Sequence, residues 1–314
     1  MRRIRLILNT LAVSVFCLAC VSVAHAQATQ TFVASTGNDA NTCTKLSPCK
    51  TFAGAQPKTA AGGEIDALDQ GGFGAITINK SLTIDGGVGL YAGIHAPSVT
   101  AVTVSAATTD VVVIRNLRLD GQGTGIDGIK VTAAQEVHVE FCQILAFTAN
   151  AIEVATSANS HLFVQESTMR DNGNAGLLVS TTAGLARATV DRCWFRANGS
   201  GLIARDFARV MISNSLLTGN SSFGILAEAL TAGRPTQVNV EHSVISHNAN
   251  KGIQAGSASA LATSIVRISE NEITNNTNEG VLVTTNGSVE TYQNNKIRGN
   301  GTNNCPLCTA VPQS

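Results

Sequence analysis

Val210-Met-Ile-Ser-Asn-Ser-Leu-Leu-Thr-Gly-Asn-Ser-Ser-Phe-Gly-Ile225 decides the fold. Val210 and Ile212 alternate with Met211 and Ser213, the period of a strand with one face inward. Leu217 follows five residues after Ile212 and Asn220 three residues later. Gly224 then opens another short apolar stretch, Gly224-Ile-Leu-Ala227. The segment reads strand, turn, strand, Asn/Gly turn, strand.

The same unit recurs along the chain. Anchors equivalent to Ile212 are Ile114, Val139, Val164, Val190, Val240, Ile268 and Tyr292, and successive spacings run 25, 25, 26, 22, 28, 28 and 24 residues. Five residues beyond the anchors stand Leu119, Ile144, Met169, Phe195, Leu217, Ile245, Ile273 and Ile297, all apolar. Eight beyond, the last six units place Asn172, Asn198, Asn220, Asn248, Asn276 and Asn300, followed by Gly176, Gly201, Gly224, Gly252 and Gly280. No unit holds the ~10 to 12 residues of 3.6 periodicity that a helical repeat needs. One unit cannot bury its own apolar face, but stacking at the ~4.8 Å strand spacing buries a continuous core. The reading is an all-β solenoid: a single-stranded right-handed parallel β-helix behind a short N-terminal capping segment.

Stacking turns equal offsets into columns. The six asparagines form a predicted structural ladder, each amide donating to one neighbouring coil and accepting from the other. They also explain sequon matches such as Asn198-Gly-Ser200. Cys142 and Cys193 share a column with Ser167 between them, about 9.6 Å apart at two ~4.8 Å steps, beyond the ~7 Å Cα reach of a disulfide. Both are predicted to be buried free thiols. Cys43 with Cys49, and Cys305 with Cys308, read as two local disulfides, since a lone CxxC lacks the four ligands of a zinc site.

The pattern Val-x-Ile-x-x-Ser-x-Leu-x-Gly-Asn-x-x-x-Gly-Ile resembles the right-handed parallel β-helix repeats of the pectin-lyase-like superfamily, over roughly residues 63–304. Phe32 to Asp39 and Ser47 to Phe52 look like that superfamily's opening module, in which a short helix caps the first coil. Lys50 to Ala61 is the predicted cap, limited by Pro57. The resemblance implies either a carbohydrate-active enzyme or a non-catalytic relative. No Asn-Thr-Asp, Gly-His-Gly or Arg-Ile-Lys block of the hydrolase type is present.

Alternation assigns the outward surface. The glycine-led strands place Lys130, Glu153, Leu178, Ile203, Leu226, Gln254 and Leu282 in one outward column, with Arg205 and Glu228 adjacent. Asp127, Lys130 and Glu153 are the candidate acid–base set for a uronate substrate, against which stands an ordinary surface ion pair. Leu178, Ile203 and Leu226, with Arg205 and Glu228, are the candidate binding surface: an exposed apolar stripe, unless the linkers Ala227 to Pro235 or Gly256 to Ala262 cover it. Another outward face carries His138, Glu140, Asp191, Glu241, His242 and Glu270. Gly121 to Gly125 reads as a coil turn, since no phosphate-cradling helix follows.

Arg2, Arg3 and Arg5, the apolar run Leu6 to Val23, and Ala24-His25-Ala26 read as an export signal cleaved before Gln27. A retained anchor would need a longer run; lipoprotein cleavage at Cys20 lacks the usual Leu, at Cys17. The domain reading is leader 1–26, capping segment 27–62, β-helix 63–304 and tail 305–314. The full chain has 21 basic and 21 acidic residues. Losing three leader arginines leaves 18 against 21, which speaks against a nucleic-acid partner. No later stretch is apolar enough to span a bilayer.

The leading functional reading is therefore an exported protein, periplasmic or secreted, that binds a glycan or cell-surface component without a catalytic set or cofactor. The alternatives are a polysaccharide lyase acting on an acidic polysaccharide, and a structural or adhesive module. Calcium enters only with the lyase, and the acids show no clustering in sequence to hold it.

Overall fold

Ile114, Val139, Val164, Val190, Ile212, Val240 and Ile268 pair in parallel register from coil to coil, as the repeat predicts. Leu119 through Ile297 do the same five positions on. The computed structural model describes residues 27–257, 262–303, 305 and 307–312. The export-signal reading, with Cys17 and Cys20, lies outside the described residues.

Each coil visits three parallel sheets in turn. One coil runs Ala186–Asp191 in the first sheet, Trp194–Arg196 in the second and Ser200–Arg205 in the third, before Ala208–Ser213 re-enters the first. Among the described residues the sheets hold 12, 10 and 9 strands. Ala28–Val33 is the first edge of the 12-stranded sheet and Cys308–Ala310 the last. Inward residues from all three sheets make one apolar core along the axis.

The corners use a device that the repeat pattern did not reveal. Between first and second sheets a single residue takes positive φ: Asn116, Phe141, Glu166, Arg192, Asn214, His242, Glu270 and Gln293. Between second and third sheets, Ala146, Asp171, Ala197, Gly219, His247, Asn275 and Gly299 do so. From Asp171 onward, the residue after each is a ladder asparagine. A left-handed residue reverses the local chain direction sharply, at a cost of roughly 1–2 kcal/mol when it carries a side chain.

Those amides hold the second corner. Asn172, Asn198, Asn220, Asn248, Asn276 and Asn300 are all buried, and the Nδ2 of each of the first five donates to the next Oδ1 at 2.8 to 3.3 Å. The backbone N–H beside each donor reaches the same oxygen. The glycines that follow make room for this file. A β-carbon on Gly224 would stand 2.6 Å from the Gly252 carbonyl oxygen and 2.9 Å from Asn248 Nδ2.

Cys142 and Cys193 are buried and unbridged, while Cys43–Cys49 and Cys305–Cys308 are disulfides. The backbone N–H groups of Cys142 and Cys193 donate to Ser167 and Ser215 Oγ. Burial pushes both thiols up to about 12. Only a thiolate attacks a disulfide reagent, so in a chain beginning at Gln27 neither should react at pH 8 until denaturant is added, when two thiols should titrate. Intact-mass counting that finds every cysteine oxidised would contradict this.

Two local predictions need correction. Ile268 pairs with Thr291, not with Tyr292; one extra residue in the last corner restores Ile297 to its column. The capping helix is shorter than Lys50 to Ala61. Thr51 Oγ1 caps Phe52–Ala55 by accepting from Gly54 N–H, a 3-10 turn with Pro57 follows, and the chain is already a strand at Thr59.

Candidate functional site

The outer face of the first sheet brings together the polar groups that the core leaves free. Glu136, His161, Arg187, Arg209 and Gln237 form one column across five coils. His138, Phe163, Thr189, Met211 and Asn239 form the column beside it. Alternation turns every second residue of these strands outward, and coil stacking brings residues some 25 apart in sequence side by side.

Three rings pack at one end of this grid. His138 stacks on Phe163 with ring centroids 4.7 Å apart, and His161 stacks on Phe163 at 3.9 Å. His161 Nε2 lies 3.0 Å from Thr189 Oγ1, and Glu136 Oε2 is 3.4 Å from His138 Nε2. Burial lowers the His161 pKa; the Glu136 carboxylate opposes this, while Arg187 and His138 add to it. The ring is therefore neutral at pH 7.

Next to the rings a cleft is lined by His161, Arg187, Thr189, Arg209, Met211, Gln237 and Asn239. Arg187 and Arg209 are exposed and face each other in register, and among the described residues neither joins an ion pair. Like charges opposite one another on a sheet destabilise it, so an anion between them would relieve the repulsion. Asn239 Oδ1 is buried without a hydrogen-bond partner.

Sequence reading had assigned His138 to this face but missed His161, Arg187 and Arg209. The signal was available: each lies three residues before an anchor, at Val164, Val190 and Ile212.

The predicted acid–base set divides. Lys130 Nζ and Glu153 Oε2 are 2.9 Å apart on the third sheet. The Glu153 hydrogen bond leads in raising the Lys130 pKa, so the amine stays protonated. Asp127 turns inward instead: it is 2% exposed, and its Oδ1 accepts from Asn150 N–H and Nδ2, both at 3.0 Å. It ends a second amide file, since Asn174 Nδ2 donates to Asn150 Oδ1.

The exposed apolar stripe is also corrected. Leu178, Ile203 and Leu226 are 8%, 3% and 7% exposed and form a separate buried cluster with Ala175 and Phe223. The linker after Ala229 is pinned against the same side of the molecule. Asp206 accepts from Leu230 and Thr231 N–H, and Arg234 Nη1 donates to the Thr181 carbonyl. Arg205 and Glu228 form an ion pair beside this cluster, Nε to Oε1 2.5 Å.

Carboxylates do cluster, contrary to expectation, at the start of the first sheet. Glu64, Asp66 and Asp85 each offer an oxygen within 4.8 Å of the others. Arg115 bridges Glu64 at 2.6 Å and Asp85 at 2.7 Å, supplying a counter-charge in place of a cation. Burial leads in raising the Asp66 pKa, with Glu64 and Asp85 adding to it.

The family described as "Right handed beta helix region" matches residues 127–302. Among solved structures, ORF18 of Geobacillus virus E2 superposes with a TM-score of 0.54 at 14% identity, over 79% of this chain and 52% of that one. This chain thus spans about half the viral protein. Pectate lyase Pel9A gives 0.50 at 17% identity over 90% and 73%, and an alginate lyase from Paenibacillus sp. str. FPU-7 gives 0.50 at 12% over 91% and 99%. At these identities the likeness shows the fold alone. A search of curated proteins finds no match. The matched residues cover more than half of the chain and coincide with the stacked coils, so the chain belongs to the right-handed β-helix family.

Proposed function

We propose that this is an exported carbohydrate-binding β-helix whose first-sheet face holds an acidic polysaccharide. The observation that carries the reading is the unpaired doublet Arg187–Arg209 beside a stacked His/Phe platform. Guanidinium groups hold carboxylates through parallel hydrogen bonds. The imidazole faces of the stack suit the C–H faces of a sugar ring, and Asn239 Oδ1 offers an acceptor for a hydroxyl. Two disulfides fit an oxidising compartment, as does the leader-like start of the chain. Pectate and alginate lyases among the fold neighbours lend support.

Titration with polygalacturonate and alginate oligomers tests the reading. Arg187→Ala with Arg209→Ala should weaken binding by about tenfold per arginine with a thermal melt no lower than that of wild type, since the repulsion is removed, and wild-type binding should fall as salt rises. Undiminished binding by the double variant would overturn the assignment.

A second reading, an eliminating lyase, is favoured by the neutral His161 in register beside Arg187. The ring would take the proton from the carbon next to the carboxylate while the C–O bond on the adjacent ring carbon breaks; a carbon–carbon double bond forms, and the departing oxygen takes a proton from water to leave as a hydroxyl. Sustained release of ultraviolet-absorbing products, lost in His161→Ala, would replace the non-catalytic reading with this one.

A further inference from the structure

Three exposed aromatic residues stand along the corner between the first and second sheets, away from the Arg187–Arg209 cleft. Trp194, the only tryptophan of the chain, is 59% exposed; Tyr91 is 76% and Phe141 50% exposed. By contrast, Phe52, Phe73, Phe147 and Phe195 are fully buried. The core therefore does not lack room for aromatic side chains, and the three outside make no use of it.

Phe141 is the more unusual because of its backbone. It occupies the left-handed corner position at φ 53°. The same corner in other coils holds Asn116, Glu166, Arg192, Asn214, His242, Glu270 or Gln293, all polar. A bulky aromatic there carries backbone strain and exposed apolar area together, and such strain collects at functional positions.

The three residues lie on one continuous track. Tyr91 and Phe141 line a cleft with Arg118 and Gln143; Trp194 lines another with Thr168 and Arg192. Gln143 pairs in register with Thr168, and Thr168 with Trp194, so the two clefts lie on neighbouring coils, one after the other along the axis. Phe141 and Trp194 are two coils apart, about 9.6 Å of rise, close to the span of two pyranose rings in an extended chain.

The charges on this track are already answered. Arg118 pairs with Asp120 at 3.0 Å, and Arg192 with Asp191 at 2.7 Å and Glu166 at 3.1 Å. That differs from the first-sheet face, where two guanidinium groups lack carboxylates. Aromatic platforms flanked by neutralised polar side chains match a chain of C–H faces and hydroxyls without net charge.

We propose that Tyr91, Phe141 and Trp194 form a second binding site, for an extended uncharged polysaccharide lying parallel to the solenoid axis. It is independent of the acidic-glycan reading, because no residue is shared.

The single tryptophan provides the probe. Emission of the purified protein is followed while cellohexaose, xylohexaose and mannohexaose are added. At least one should give a saturable change. By calorimetry, Trp194→Ala and Phe141→Ala should each weaken that binding about tenfold, whereas the Arg187→Ala/Arg209→Ala variant should bind it unchanged. Circular dichroism melts confirm folding, and the exposed ring of Trp194 can be removed without opening the core. No saturable response to any of the three sugars overturns the proposal. So does sugar binding that survives both aromatic substitutions. A concentration-dependent dimer that Trp194→Ala abolishes, without sugar binding, assigns the surface to self-association instead and likewise overturns it.

Discussion

Ile203→Asp is expected to lower the unfolding free energy by about 4 kcal/mol or more. Ile203 is 3% exposed, between Leu178 and Leu226 in adjacent coils, with Ala175 and Phe223 in the same cluster. A carboxylate there loses its hydration and meets apolar neighbours. The nearby Arg205 is already held by Glu228. Part of the loss is apolar contact, so Ile203→Val, which removes one methylene and no charge balance, should cost only about 1 kcal/mol. Urea denaturation of the two variants beside wild type measures both figures. An Asp variant as stable as wild type, with altered mass by light scattering, would mean that the stripe is open to partners.

Asn220→Ala should cost about 3 kcal/mol in the same assay. Asn220 is fully buried. Its Nδ2 donates to Asn248 Oδ1 at 2.8 Å, and its Oδ1 accepts from Asn198 N–H at 3.0 Å and Asn198 Nδ2 at 3.3 Å. Truncation leaves the buried Asn198 N–H without its acceptor, reduces Asn198 Nδ2 to the Met169 carbonyl, and removes one of the two donors to Asn248 Oδ1. In a stacked array each coil contacts only its neighbours, so the damage stays local but cannot be repaired from elsewhere. Asn300→Ala, in the last coil and 7% exposed, should cost only about 1 kcal/mol because water reaches the orphaned groups. Equal losses at both positions would show that the amides act singly and not as a file.

The regular part of the molecule was readable from residue order. An alternation of two sets which side chains point inward, and a repeat of about 25 residues sets which of them touch. Once coils stack at one fixed rise, offsets along the chain become neighbours in space. That suffices for the anchor file, the Leu119 to Ile297 file, the asparagine ladder, the glycines beneath it and the separation of Cys142 from Cys193. The column of Arg187 and Arg209 follows the same rule, three places before the anchors, and was overlooked rather than hidden.

What breaks the repeat had to come from the folded chain. Leu178, Ile203 and Leu226 point away from the central core on alternation alone. They bury against one another with Ala175 and Phe223, and Phe223 belongs to no repeating offset. Asp127 sits at a corner, where alternation lapses, and buried amide partners turn it inward. The extra residue before Ile297 shifts Tyr292 out of its column for the same reason. Glu64, Asp66 and Asp85 cluster, with Arg115 bridging Glu64 and Asp85, because coil stacking joins three strands separated in sequence, two of them before the first recognised anchor. Periodicity governs strands, because their geometry is local; corners and linkers are decided by whatever three-dimensional packing leaves for them to satisfy.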